Sequence, residues 1–465
     1  MKKYFAIALA ALALMACNKT ESPKAVSPGE TSLQPVLFDS YLFRGVGTRS
    51  GYAGELDATA LQTQGFGVFA YYTDINAYDD QSMPNFMYNQ EVTYDDSNWT
   101  YEPVKYWPNE YGAAAISDDV DKVSFFAYAP YVEVTPSTGK VEDATYGITG
   151  MNRNTANGDP IVKYIGSFDP TKSVDLCWGV AHGPDASAWN IVQTGGVQTP
   201  AIVAGKPWID VQRPKDPANQ KLKFTFNHAL SQLNVQIDAD FDIYEHADDE
   251  TVPHASDAAT KIYVRSIAFT GFAMKGALNL NNTALNSDDT AKAEWLDYAG
   301  INDITSGDEY VIYDGRKDGR EGVTGAIASN EKTLGLNPVI IQGDAATAGV
   351  TNAFVNLFNS ATADTPIYVI PVDNEITVTI NYDVETVDEN LPTLLSDGEH
   401  YGSSINNVIT KTITFGEYTK FQNGYSYVIK LHLGMNSVKF DADIVGWTAV
   451  SDESDTYLPK NGPTA

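Results

Sequence analysis

Positive charge, thiols and long apolar runs are all in short supply in this chain. Thirty Lys and Arg face 60 Asp and Glu over 465 residues, a formal net charge of -30. A surface of that sign repels phosphate backbones and anionic lipid, which excludes nucleic acid as a partner. The two cysteines, Cys17 and Cys177, provide no disulfide framework. Cys177, in Asp175-Leu176-Cys177-Trp178, sits beside apolar residues and reads as a buried small hydrophobe. Histidine is equally sparse. His246 and His254 flank Asp248, Asp249 and Glu250, but their spacing fits no zincin helix and reads as a solvated acidic loop. Asp74, Asn76, Asp79 and Asp80 lack the Gly and distal Glu of a calcium-binding EF-hand. No Gly-x-Ser-x-Gly elbow or phosphate-binding Gly-Lys loop occurs, and Gly315 to Arg320 reads as an exposed turn. Nothing in the residues implies an enzyme, a cofactor or a metal.

The N-terminus carries the sharpest signal. Lys2 and Lys3 precede an apolar run, Tyr4 to Ala16, which closes on Leu14-Met15-Ala16-Cys17. The run falls well short of the roughly 20 apolar residues that span a bilayer. With small Ala16 before the cysteine, it has the layout of a bacterial lipoprotein signal peptide over residues 1–16, with Cys17 as the lipidated anchor. From Asn18 to Gln34 the chain is rich in Ser, Thr, Pro, Glu and Lys and has no aromatic residue, the composition of a flexible tether. A compact apolar stretch follows, Val36-Leu37-Phe38 and Tyr41-Leu42-Phe43, ending at Arg44-Gly45 in a segment made loop-like by Gly47, Arg49 and Gly51.

Beyond this point the pattern is β. Short strands are predicted at Phe66 to Tyr72, Val123 to Tyr128, Lys223 to Phe226, Leu233 to Ile237, Ile262 to Phe269 and Ile367 to Ile370. Others are predicted at Glu375 to Tyr382, Ile409 to Phe415, Tyr425 to Leu433 and Val438 to Val445, with strict apolar-polar alternation in Glu375 to Tyr382. Helical periodicity is scarce; Asn227 to Leu233 and Ala353 to Asn359 are the two places that could hold a turn or two. Many short strands between Gly, Asn and Asp turns argue for an all-β chain of immunoglobulin-like or related β-sandwich domains. Arg213-Pro214-Lys215-Asp216-Pro217 interrupts the pattern, placing a tether and first strand at 17–49, one domain at 50–218, a second at 219–447 and a tail at 448–465.

Several of these segments resemble, in order, the fimbrillins, the type V pilus subunits of Bacteroidales-type bacteria. Gly65 to Tyr71, Trp99, Tyr106-Trp107-Pro108 and Val123 to Pro130 are similar to the N-terminal half of that family. Phe224 to Leu233, with His228-Ala229, is similar to its central pattern. Gly424 to Leu431, Val438-Lys439-Phe440 and Val445-Gly446-Trp447 are similar to its closing strands. The resemblance, which spans residues 35 to 450, implies two transthyretin-like sandwich domains in series and a structural, non-enzymatic role as a pilus (fimbrium) subunit that supports adhesion. It also implies delivery to the outer membrane as a lipoprotein. An arginine-specific protease then removes the lipidated segment with its first strand, here after Arg44 or Arg49. The opened groove takes a donor strand from another copy or a related subunit, building an extracellular fimbrium. The donor would come from Val438 to Trp447 or from the acidic tail.

His228, at a position the family shares, is expected to pack or hydrogen-bond in a domain core. The alternative is a surface lipoprotein that keeps its Cys17 anchor and binds carbohydrate, or a tip or base component. For that reading Tyr88, Tyr94, Trp99, Tyr101, Tyr106 and Trp107 are the aromatic residues that could form an adhesive patch toward a host or bacterial surface ligand.

Overall fold

A computed structural model of the chain describes residues 34–42, 56–108, 121–181, 206–211, 221–239, 260–281, 293–298, 309–314, 340–341, 355–356, 366–396, 398–415, 419–433 and 438–446. These residues are almost entirely β, in four sheets, with strands numbered in chain order. An eight-stranded sheet holds β1 (Leu37–Leu42), β2 (Phe66–Asp74), β3 (Met87–Tyr94), β4 (Trp99–Thr100), β5 (Lys122–Ala129), β8 (Cys177–Ala181), β9 (Trp208–Val211) and β10 (Lys221–His228). Beside it lies a four-stranded sheet of β6 (Gly147–Met151), β7 (Ile161–Ile165), β14 (Lys275–Asn279) and β15 (Glu294–Leu296). The C-terminal half forms a six-stranded sheet of β11 (Ser231–Ala239), β13 (Phe272–Ala273), β18 (Val355–Asn356), β19 (Ile367–Pro371), β22 (Tyr425–Leu433) and β23 (Val438–Gly446). Facing it is a five-stranded sheet of β12 (Thr260–Phe269), β16 (Tyr310–Asp314), β17 (Ile340–Ile341), β20 (Thr377–Val387) and β21 (Gly402–Thr412). Among the described residues no helix is long and apolar enough to cross a membrane.

The continuous apolar runs of β2 and β5 have a direct physical cause: both faces of these strands are covered. Phe66, Val68 and Ala70 with Phe125 and Ala127 enter one core, together with Phe224 and Phe226. Phe69, Tyr71, Phe126, Tyr128 and Trp178 enter a second core on the opposite face, against Val162, Tyr164 and Leu278 of the four-stranded sheet. Each fully buried Phe, Val or Leu among them contributes about 1.5–3 kcal/mol. In β10, by contrast, buried and half-buried residues alternate strictly, which is the mark of a strand with one face covered. Where β8 meets β5 and β10, the residue must be Gly179. A Cβ there would come within 2.9 Å of the Ala127 Cβ and 3.1 Å of the Phe224 ring.

The third core lies between the two C-terminal sheets. Leu233, Val235 and Ile237 of β11 and Tyr427, Ile429 and Leu431 of β22 face Val264, Ile267, Val378 and Ile380. Most predicted strands are present, but the one expected at Ile409 to Phe415 lies earlier, at Gly402–Thr412, and that expected at Glu375 to Tyr382 runs from Thr377 on to Val387; two further differences concern the expected helix and the boundary. Asn227 to Leu233 holds no helix: His228 ends β10, Ser231 begins β11, and the chain passes from one sheet to the next at Ala229-Leu230. Residues 221–228, which follow the expected boundary at 218, pair with β8 in the sheet of the N-terminal half. Of Ala353 to Asn359 only Val355 and Asn356 are described, as β18.

Burial in the C-terminal half includes charge. Arg265, 7% exposed, donates from Nε and Nη2 to Asp383 Oδ2, each at 2.7 Å, and from Nη2 to Ser396 Oγ at 3.0 Å. Glu385, 2% exposed, lies 3.7 Å from the same guanidinium and accepts from the Ser396 N–H and hydroxyl. Removing one member of such a network leaves the rest charged and desolvated. Arg265→Ala is therefore expected to destabilise the chain by about 3–5 kcal/mol, read as a fall in the urea midpoint at unchanged slope.

Candidate functional site: the groove filled by the first strand

The sheet of the N-terminal half is antiparallel throughout, except at one edge. There β1 runs parallel to β10, with Leu37 opposite Lys221 and Leu42 opposite Phe226. The other side of the same segment reaches the chain beyond β4. The Val36 N–H donates to Lys105 O and the Trp107 N–H to Gln34 O, both at 2.9 Å. Residues 34–42 thus lie between the two margins of the sheet and close it.

Alternation decides what the strand buries. Val36 and Phe38 point inward and are 0% and 1% exposed, while Leu37 and Asp39 are only half-buried. The Phe38 ring sits 5.3 Å from Tyr101, 6.1 Å from Phe224, 6.2 Å from Phe125 and 6.3 Å from Phe66, centroid to centroid. The Tyr101 hydroxyl donates to Val36 O at 2.8 Å. Burial pushes its phenol up to about 12, against the opposing pull of the Lys105 backbone. Because the neutral form is the one favoured by folding, this contribution is intact below pH 10 and is lost as pH rises through about 12. Ser40 is the weak point of the strand, since its hydroxyl is buried with no protein partner.

The chain re-enters the described fold at Leu56, and this point is held separately from β1. The Leu56 N–H donates to Asp175 Oδ2 at 3.0 Å. Asp57 then caps helix α1 (Ala58–Gln64), its side chain accepting from the Ala60 N–H, and Gly65 ends it at φ 67. The same Asp175 oxygen lies 2.7 Å from Nδ1 of His228, with Cys177 Sγ 3.4 Å from that nitrogen. Asp175 and Cys177 are 0% exposed and His228 5%. Three donor types this close could in principle hold a metal, but the 2.7 Å contact is a hydrogen bond. The cluster is sealed from solvent, so it serves as a polar clamp on the chain that follows residue 55.

Cys177 is buried and His228 hydrogen-bonds in a core, as the sequence led us to expect. The Asp175 partner was missed; a charged residue two positions before a buried cysteine was the available signal. Cys17, Arg44, Arg49, His246, His254 and Gly315 to Arg320 lie outside the described residues. In the segment compared above with a calcium-binding loop, Asp79 Oδ1 is occupied by the Gln81 N–H and the Ser82 hydroxyl. Of the proposed adhesive aromatics, Trp99, Tyr101 and Trp107 are buried, and only Tyr106 is exposed. Cross-strand packing accounts for the set better than a displayed patch does.

One comparison with known proteins agrees with the motif resemblance. No family model matches the chain. A 165-residue stretch is 27% identical to the fimbrium subunit Fim1C of Phocaeicola vulgatus, covering 35% of this chain and 38% of that protein. The match thus spans little more than a third of that relative's length. Among solved structures, a fimbrial protein from Bacteroides vulgatus aligns over 89% of this chain and 100% of its own, at 20% identity and a TM-score of 0.48. The tip fimbrial protein Mfa3 from Porphyromonas gingivalis aligns over 83% and 95%, at 8% identity and a TM-score of 0.21. Together the motifs and the match to Fim1C support a fimbrillin-like family.

The groove yields a direct test of the strand's role. Phe38→Ala should destabilise the uncut chain by about 3–5 kcal/mol. Ser40→Ala should stabilise it by up to ~1 kcal/mol, because a partnerless hydroxyl is removed. Both are measured by urea denaturation, and equal effects of the two substitutions would contradict the groove as described.

Proposed function

We propose that this fimbrillin-like chain is a structural subunit of a surface fimbrium that supports adhesion, and that β1 is a removable strand holding the place of a neighbour's. In this reading the precursor reaches the outer membrane lipidated at Cys17. An arginine-specific protease cuts after Arg44 or Arg49, and the subunit polymerises extracellularly with copies of itself or related subunits.

The observation that carries the proposal is the arrangement on either side of residues 43–55. Upstream, residues 34–42 are held by the edge pairing of β1 to β10, by hydrogen bonds to residues 105–107 and by the burial of Val36 and Phe38. Downstream, Leu56 and α1 are fastened by Asp175 and Asp57. A cut in the intervening link converts β1 from part of the chain into a bound peptide and leaves the rest of the sheet connected. The opened groove offers main-chain groups along β10 and an aromatic floor, which suits β-strand addition with alternate apolar side chains pointing inward.

A donor must also be able to leave its own sheet. Among the described residues β23 is one of the two outermost strands of the six-stranded sheet, paired antiparallel to β22. Its release would break a single strand pairing of that sheet. Residues 438–447 are therefore the favoured donor, with the tail at 448–465 as the other candidate.

Purified precursor treated with an arginine-specific protease should form polymers. The Arg44→Ala/Arg49→Ala variant should keep its first strand attached and remain unpolymerised, as judged by N-terminal sequencing, electron microscopy and sedimentation. Assembly of that double variant would refute the processing step. Assembly of a chain truncated after Trp447 would remove the tail as donor and leave β23.

A further inference from the structure

The five-stranded sheet ends in an edge of unusual character. β21 runs its full length against β20 without a register shift, from Gly402 opposite Val387 to Thr412 opposite Thr377, and among the described strands it is outermost in the order β16-β12-β20-β21. An unpaired strand edge is a template for another strand. Proteins ordinarily guard such edges with charge, proline, a bulge or a covering segment. β21 has no proline and no bulge, and its one charge among 11 residues is Lys411, in a chain with 90 charged residues. It also displays apolar side chains, with Ile405 60% and Val408 62% exposed.

The strand is held ready for pairing. On one face, Asn406 Nδ2 donates to Asn381 Oδ1 and Asp383 Oδ1, both at 2.7 Å, and the Ser404 hydroxyl donates to Glu385 Oε1 at 3.2 Å. On the other face, Ile405 and Ile409 lie opposite Val384 and Ile380, which belong to the C-terminal core. Ile409 packs against that core, whereas Ile405 overhangs it.

We infer that β21 pairs antiparallel with β21 of a second copy of this chain, about a two-fold axis at Asn407. The sequence is self-complementary in that register. Ile405 falls opposite Ile409 twice, Asn406 opposite Val408, Ser404 opposite Thr410 and Ser403 opposite Lys411, so no like charges oppose each other. The apolar face of one sheet then continues into that of the other. Charge selects the same place. Two copies at -30 repel over most of their surfaces, and this nearly neutral edge, about 37 Å long at the usual rise per residue, is where they can approach.

An isologous contact closes on two copies and cannot by itself propagate a filament. On the fimbrial reading, its consequence is side-by-side joining of subunits in neighbouring filaments, separate from head-to-tail strand exchange. The pairing itself does not depend on that reading.

The test uses the full chain carrying Cys17→Ser and Arg44→Ala/Arg49→Ala, which prevents lipidation and cutting, so that strand exchange cannot contribute. Sedimentation should show a monomer–dimer equilibrium at concentrations up to about 100 μM. Ile405→Lys/Val408→Lys, at two exposed positions, should shift it to monomer with an unchanged thermal midpoint. Asn407→Cys should form an intermolecular disulfide with itself under mild oxidation, and addition of Ile405→Lys/Val408→Lys should abolish the crosslink. A chain that stays monomeric throughout this range would overturn the inference. So would a dimer unaffected by the two lysines, or a dimer in which Asn407→Cys fails to crosslink. Retention of head-to-tail polymerisation by cut Ile405→Lys/Val408→Lys chains would distinguish this contact from the one in the fimbrial proposal.

Discussion

The N-terminal half depends on the insertion of Phe38 into a ring of aromatic side chains. Phe66, Tyr101, Phe125 and Phe224 come from four separate segments, and one phenyl group from β1 touches all of them. Because Gln34 and Val36, just before β1, bond to residues 105–107, the same segment joins the two margins of its sheet. Without it, an apolar groove and a strand edge would be open together, which is the combination most prone to unintended pairing. The first strand therefore acts as a filling that covers both the groove and the edge.

The polar clusters have a complementary task. Asp175 receives the Leu56 N–H and meets His228 of β10, the strand beside β1. The strand that pairs with β1 is thereby tied to the chain that re-enters the fold at Leu56. In the C-terminal half, Arg265, Asp383 and Glu385 fix β12 to β20, and Asp383 and Glu385 reach on to β21 through Asn406 and Ser404. Buried ionic groups add little net stability compared with apolar packing, but they penalise any other register. In this chain they link β12, β20 and β21 in one half and tie Leu56 to β10 in the other.

Strands covered on both faces were the most legible in the sequence. Phe66 to Tyr72 and Val123 to Tyr128 read as unbroken apolar runs because neither side of the sheet meets water, and Glu375 to Tyr382 alternates over a half-covered face. Asn227 to Leu233 was misread as a candidate helix. His-Ala-Leu-Ser-Gln-Leu contains good helix formers, but pairing of β10 with β8 and of β11 with β22 overrides so short a local preference. The first strand was legible as an apolar island between a polar tether and two arginines. Its parallel pairing to β10 was not, because the partner lies far away in sequence, and no local pattern encodes contact between residues 37 and 221. The contact between Asp175 and His228, 53 residues apart, was hidden for the same reason.

The central claim is that β1 occupies a place that another subunit takes over. It is tested most directly by the mass and N-terminal sequence of the subunit extracted from surface filaments. The account predicts a chain that begins after Arg44 or Arg49, lacks β1 and still contains Leu56 and α1. A filament subunit that retains Cys17 through Phe43 would contradict it.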